Sequence, residues 1–203
     1  MAAKSTDYIK KYKICVSGSA ALDPCTPKAK ELAKEVGRQI VKQGAILLTG
    51  ATTGIPYWAA VGANEANGIS IGFSPAGTEK EHVKVYRLPT DMFDVIVYTG
   101  FGYAGRNLLL TRASDAVITI CGRMGTLNEF TVAFEDKKPL GVLEGSGGIA
   151  DKIDYLLKGG YRGKKKVIAS AYPDVLVREI IKMIKLDKEN NHKGRAKQRA
   201  KNK

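Results

Sequence analysis

Ala116-Val117-Ile118-Thr119-Ile120-Cys121-Gly122-Arg123-Met124-Gly125-Thr126-Leu127-Asn128-Glu129 is the stretch whose reading decides the fold. A short β-branched run breaks at a glycine and continues as an amphipathic segment. That pattern reads as strand, tight turn and helix, with the helix over 126–134. Such a turn presents free backbone N–H groups and the positive end of a helix dipole at one spot, which suits an anion. Glu129 falls about one helical turn into the helix, close enough to share whatever the turn holds.

The same alternation continues in both directions. Strands are expected at 13–17, 45–49, 69–73, 95–98, 116–120, 140–143 and 166–169. Helices are expected at 26–43, 55–67, 106–114, 126–134, 149–157 and 173–185. Thr26 reads as an N-cap with Pro27 at the first helical position, and Gly44 as the residue closing that helix. Residues 75–94 are mixed and polar, which reads as a long loop with a brief strand. The strands are near-continuous apolar runs, as in a parallel sheet covered by helices on both faces. The expected fold is therefore a doubly wound, mostly parallel α/β sheet of Rossmann type. An N-terminal extension (1–12) precedes one nucleotide-binding domain (13–186), and a basic disordered tail (187–203) follows it.

Composition limits the function classes. The 203 residues are 44% hydrophobic and 26% charged, ordinary for a globular domain. No apolar run approaches the roughly 18 residues of a membrane span, and the N-terminus lacks a signal-peptide pattern. Cytoplasmic localisation and no membrane partner are the expectation. The net charge is +13, and six basic residues without an acidic one lie between His192 and Lys203, which leaves +7 for the rest. Such a tail can bind nucleic acid through counterion release. With no aromatic residue among the basic ones to stack on bases, a solubilising end is the preferred reading. Three cysteines, Cys15, Cys25 and Cys121, are too few and scattered for a disulfide framework or metal site. Cys15 and Cys121 read as inert core thiols, and no metal ligands are assigned.

Four strand ends carry glycine: Gly18, then Gly50 and Gly54, then Gly100, Gly102 and Gly105, then Gly122 and Gly125. In a doubly wound sheet these ends share one edge, where ligands bind. Gly18-Ser19-Ala20-Ala21-Leu22 is not a G-x-G-x-x-G turn, and Thr49-Gly50 stands where a dinucleotide fold places an acid, which argues against an NAD-dependent dehydrogenase.

Arg106-Asn107-Leu108-Leu109-Leu110-Thr111-Arg112-Ala113-Ser114-Asp115, followed by Gly122 to Glu129, resembles the signature region of the LOG family, long labelled lysine decarboxylase-like. The same region is similar to the molybdenum cofactor carrier proteins, and the turn Gly44 to Gly54 fits the same pattern. The resemblance spans roughly 14–143. It implies a homodimer of Rossmann-like subunits that binds a nucleotide or phosphorylated ligand, with no further cofactor required. In the hydrolase branch the family cleaves the N-glycosidic bond of nucleoside 5′-monophosphates to free base and ribose 5-phosphate. The alternative is a non-catalytic carrier of a nucleotide or of molybdenum cofactor. Arg106 and Glu129 match the family's functional pair. The phosphate and nucleotide contacts carried over or read from the strand ends are Gly18, Ser19, Gly50, Thr53, Gly54, Gly105, Asn107, Gly122, Arg123, Met124, Gly125 and Thr126. A carboxylate can stabilise the positive charge that builds on ribose, and arginine suits a phosphate. The family motif opens Pro-Gly-Gly where this chain has Cys121-Gly122-Arg123, and the hydrolases carry Arg-Lys where it has Arg106-Asn107. A non-glycine residue at the third place is expected to alter the turn if positive φ is required there.

Plainer readings stand beside these. Glu129 also suits a solvated first-turn acid, whereas Arg106, taken to open its helix, is disfavoured there without a ligand. Arg112 is expected to complement its helix end or pair with an acid, and Asp115 to be a turn residue. Tyr98, Phe101 and Tyr103 can stack on a base but more often pack. Tyr57 and Trp58 read as packing residues, and His82 and His192 are not read as ligands.

Overall fold

The computed structural model describes residues 11–160 and 166–201. Residues 1–10 of the expected N-terminal extension, and 202–203 of the tail, lie outside them. The strands are β1 (Lys13–Gly18), β2 (Ile46–Thr49), β3 (Ser70–Ser74), β4 (Val95–Tyr98), β5 (Ala116–Ile120), β6 (Leu140–Leu143) and β7 (Val167–Ser170). They form one parallel sheet in the order β4-β3-β2-β1-β5-β6-β7. The helices are α1 (Ala29–Lys42), α2 (Ile55–Glu65), α3 (Glu79–Lys84), α4 (Gly102–Ala113), α5 (Met124–Glu135), α6 (Ile153–Gly159) and α7 (Pro173–Lys201), with a 3-10 turn at Ala150–Lys152. No helix among the described residues is long and apolar enough to cross a membrane.

Two apolar layers explain the arrangement. Alternate residues of each strand point to opposite faces. Ile14, Val16, Leu47, Ile118 and Ile120 meet α1, α2 and α7 on one side. Cys15, Leu48, Val117, Leu140 and Val142 meet Leu110 of α4, Phe130 of α5 and Ile153 of α6 on the other. The helices α1 and α2 touch backbone to backbone: a Cβ at Gly37 would stand 2.0 Å from the Ala59 carbonyl oxygen, and one at Gly62 1.9 Å from that of Lys34. These two glycines weaken their helices locally and are retained where side chains would hold the pair apart.

Four expectations are corrected. First, α1 begins at Ala29, because Thr26 donates its hydroxyl to the Gly145 carbonyl at 3.0 Å instead of capping. Second, 75–94 holds the helix α3 and no strand. Its signal is a capping box: Thr78 Oγ1 accepts from the Glu81 N–H at 3.2 Å, while Glu81 Oε2 accepts from the Gly77 N–H at 2.8 Å. Third, α7 does not end at 185 as expected but runs as helix from Pro173 to Lys201. Fourth, Cys25 and Cys121 form a disulfide, with Cα atoms 5.4 Å apart. The two cysteines are 96 residues apart in sequence, but β1 and β5 are neighbours, so the loops after them meet. Cys15 remains a buried free thiol.

Candidate functional site

The chain order of the strands reverses between β1 and β5, and the crevice outside their carboxyl ends is where a doubly wound sheet binds ligands. A cleft of about 190 Å3 opens there. Its walls are the end of β1 (Val16, Ser17, Gly18) with Ser19 and Ala20, the β2 end (Gly50, Thr52), Pro56 of α2, one face of α4 (Tyr103, Arg106, Asn107), and the turn and first residues of α5 (Arg123, Gly125, Thr126, Glu129).

Arg106 reaches the cleft because α4 crosses back from the edge strand β4 toward the middle of the sheet. It is the fifth residue of α4 and does not open the helix as expected, so the helix dipole does not disfavour it there. Its guanidinium lies against the β2 turn, where a Cβ at Gly50 would stand 1.8 Å from Nη1. Glycine at 50 is thus a condition for the arginine's position.

Glu129 sits beneath the same wall, with its side chain 8% exposed and Oε1 3.7 Å from Arg106 Nη1. The plain reading of a solvated first-turn acid is therefore excluded. Ser17 Oγ donates to Oε2. The Asn107 amide, oriented with its nitrogen toward them, donates to Oε1 and to the Tyr103 carbonyl, both at 3.0 Å. Burial raises the Glu129 carboxyl above the ordinary range, and Arg106 and then Ser17 act against that rise. Burial raises the Cys15 thiol well above its usual value, with the Glu129 charge adding to it.

Two donors at the cleft have no partner among the described residues: Ser19 Oγ and Arg106 Nε are both buried and unpaired. A buried unpaired donor is costly in a finished fold and has bonding capacity that a water or ligand oxygen in the cleft can use. The α5 N-terminus adds backbone donors. The first N–H bonded within the chain at this end is that of Leu127, to the Arg123 carbonyl at 3.0 Å, which leaves the Met124, Gly125 and Thr126 N–H groups ahead of it.

The turn resolves the departure at Arg123. Positive φ falls on Cys121 (52°) and Gly122 (95°), whereas Arg123 is extended at φ −127°. A non-glycine residue is accommodated there without strain. Its side chain is exposed and lies 3.9 Å from Asp23 of the facing loop.

Of the residues singled out from sequence, Gly18, Ser19, Gly50, Arg106, Asn107, Arg123, Gly125, Thr126 and Glu129 are brought together in this lining. Thr53, Gly54, Gly105, Gly122 and Met124 lie outside it. Thr53 donates to the Ala20 carbonyl at 2.9 Å, and a Cβ at Gly54 would meet Ser19 O at 2.3 Å, so both shape the loop that carries Ser19. Met124 points outward, 72% exposed. Ser17, Thr52, Pro56 and Tyr103 line the cleft without having been assigned to it. Ser17 had a legible signal, a polar residue ending an apolar strand ahead of Gly18. Arg112 pairs with Asp136 at 3.3 Å, and Asp115 accepts from the Lys13 N–H at 2.9 Å, in keeping with their structural readings. His82 is a fully bonded core residue, its ring nitrogens 2.8 Å from Ser74 Oγ and 3.0 Å from Pro89 O.

The same fold is found among solved structures. The solved structure of the protein TM1055 superposes with a TM-score of 0.72 at 25% identity, covering 84% of this chain and 98% of that one. A molybdenum cofactor binding protein from Rippkaea orientalis gives 0.69 at 28% identity, over 87% of this chain and 99% of its own. The molybdenum cofactor carrier protein of Chlamydomonas reinhardtii gives 0.67 at 28%, over 86% and 99%. A family model spans residues 11–177, most of the described domain, and on that match the chain belongs to the SLOG cluster4 family.

Proposed function

We propose that the protein binds a phosphorylated ligand of the nucleotide or pterin class, with the phosphate at the α5 N-terminus, and acts as a binding or carrier protein. The observation that carries this is the pair of buried, unpartnered donors, Ser19 Oγ and Arg106 Nε, at a cleft that also receives the start of α5. A phosphate supplies oxygens to all three, and charge-assisted bonds to arginine and to helix N–H groups are the strong ones. The cleft of about 190 Å3 takes a phosphate and a sugar-sized group, leaving a flat ring at its rim beside the half-exposed Tyr103. Carriage is favoured over turnover because both Glu129 oxygens already have protein partners, Ser17 on one and Arg106 with Asn107 on the other. The relatives named for binding or carrying molybdenum cofactor support the same reading.

Hydrolysis of a nucleoside 5′-monophosphate is the second reading, favoured by one observation. Glu129 is a buried carboxyl on the cleft wall with its affinity for a proton raised by burial, as suits a group that manages a proton or a developing positive charge. Native mass spectrometry of the purified protein, followed by titration with nucleoside monophosphates and a screen for released base, separates the two. A bound phosphorylated ligand without base release supports carriage. Base release abolished in Glu129→Gln supports hydrolysis. Neither binding nor release refutes both.

A homodimer is part of the proposal. On the face shared with Ile71 and Phe73, β4 leaves Val95 50% and Val97 39% exposed, and α4 leaves Leu108 and Leu109 exposed as well. Parallel strands are normally covered on both faces, so this apolar surface fits a second copy of the chain. Light scattering on the wild type and on Leu109→Glu checks it: a dimer that the substitution dissociates is expected, and a monomeric wild type refutes it.

A further inference from the structure

The Cys25–Cys121 disulfide stands where three loops meet at the carboxyl edge of the sheet. The β5–α5 turn begins at Cys121, whose φ of 52° is disfavoured for a non-glycine residue. That turn is tied on one side to the β6 loop. The Cys121 N–H donates to Ser146 Oγ at 2.8 Å, and the Cys121 and Gly122 carbonyls accept from Ala150 N at 2.9 Å and Ile149 N at 3.0 Å. On its other side it is tied to the β1–α1 loop by the disulfide. The β1–α1 loop supplies Ser19 and Ala20 to the cleft and carries Asp23 toward Arg123. Between its anchored ends, Ser19 bonded from Ile55 and Thr26 bonded to Ser146, this loop is held by Thr53 Oγ1 on the Ala20 carbonyl at 2.9 Å, by its own Cys25 N–H on the Leu22 carbonyl at 3.0 Å and by a bridge from Cys25 to Gly147, while Leu22 and Asp23 are exposed.

We propose that the Cys25–Cys121 disulfide is a redox-sensitive clasp on the cleft, which holds the Ser19 loop against the anion-binding turn when closed and lowers ligand affinity when a dithiol opens it. The inference rests on the reading of the cleft as an anion site. Cys25 is partly buried and Cys121 fully buried, so of the two sulfurs that of Cys25 is the one proposed to meet an incoming thiolate. Attack there forms a mixed disulfide on Cys25 and expels the Cys121 sulfur as a thiolate, which takes up a proton. The second thiol of the reductant then attacks the mixed disulfide, releasing the Cys25 thiolate and leaving the reductant as its own disulfide. Two electrons pass to the protein, and two thiols result. The Ser19 loop then keeps only its hydrogen bonds, and the site must be ordered at the cost of ligand affinity.

The test uses the full chain, oxidised and then reduced with dithiothreitol, with reduction verified by the mass gain of two hydrogens. Titration with adenosine 5′-monophosphate is expected to show about tenfold weaker binding after reduction, within the usual range of coupling between two sites. Hydrogen exchange is expected to quicken over 19–28 and 121–126 together. Cys25→Ser in oxidising buffer should behave as the reduced wild type in both readouts. Unchanged affinity after complete reduction overturns the coupling, and unchanged exchange at both loops overturns the clasp itself. If neither form binds adenosine 5′-monophosphate or inorganic phosphate, the anion-site reading fails and takes the coupling with it. Hydrogen exchange then still reports independently on whether the disulfide holds the loops.

Discussion

Placing a side chain at Gly125 separates ligand binding from folding. Gly125 is the second residue of α5 and lines the cleft, yet a Cβ built there meets nothing within 4 Å. Its φ is not among the positive ones, so an L-residue is tolerated. Helix propensity alone then favours Gly125→Ala by up to about 1 kcal/mol, less in a first turn. For a domain of this size that raises the unfolding midpoint by about 2–4 °C at most. The same Cβ stands in the space through which an anion approaches the N–H groups of the turn. A charge-assisted hydrogen bond is worth about 1.5–3 kcal/mol, so losing one weakens binding by at least about tenfold. Gly125→Leu extends the obstruction across much of a 190 Å3 cleft and should weaken binding about a hundredfold or more. Calorimetric titration with adenosine 5′-monophosphate and phosphate, alongside thermal unfolding without ligand, reads both quantities. The expected pattern is unchanged or higher stability with binding lost in the order alanine, then leucine. Wild-type affinity in Gly125→Leu would refute the anion site, and a fall of several degrees in Gly125→Ala would show that the glycine serves packing.

Three further outcomes follow from other parts of the molecule. Glu129 binds a proton more readily folded than unfolded, so the stability this linkage contributes is present in acid and is lost as pH rises through the raised folded value. Glu129→Gln, which mimics the protonated form, should therefore gain stability over the wild type at neutral and alkaline pH and lose that advantage below the ordinary glutamate range. Denaturant melts across pH 4 to 8 check the sign, and a gap that widens toward acid would contradict it. Gly50→Ala should drive the Arg106 guanidinium from its seat, at a cost of up to about 3 kcal/mol as a buried ion pair is disrupted, and should abolish phosphate binding; retention of both stability and binding would show that the arginine has other room. Gly62→Ala should lower stability by about 1–3 kcal/mol despite alanine's better helix propensity, because the new methyl meets the Lys34 carbonyl of α1; a rise in the unfolding midpoint would mean that the two helices can part freely.

What could be read ahead of the structure follows a physical divide. Strands β4, β5 and β6 lie where their apolar runs placed them, because a buried parallel strand is apolar throughout and ends sharply. Helix starts are less legible: α1 begins three residues late, where Thr26 is drawn to Gly145, while α4 and α5 begin four and two residues early, inside the glycine-bearing turns that precede their apolar periodicity. The short α3 was missed because six residues carry too little apolar periodicity, although its Thr78–Glu81 capping box was present. The pairing of Cys25 with Cys121 is not legible in the sequence because nothing local connects residues 96 apart.

The sequence by itself determined the alternation of strands and helices, the glycine-ended turns and the strand–turn–helix at α5 with Glu129 about one turn inside it. Each of these is written in the spacing of neighbouring residues, where burial and backbone freedom act over a few positions. Only the tertiary structure decided that β1 lies beside β5, that α4 carries Arg106 across to Glu129 over Gly50, that Ser17 reaches the same carboxylate, and that two distant cysteines close on each other. Those meetings depend on the order in which strands join the sheet, and that order is settled by the packing of whole faces.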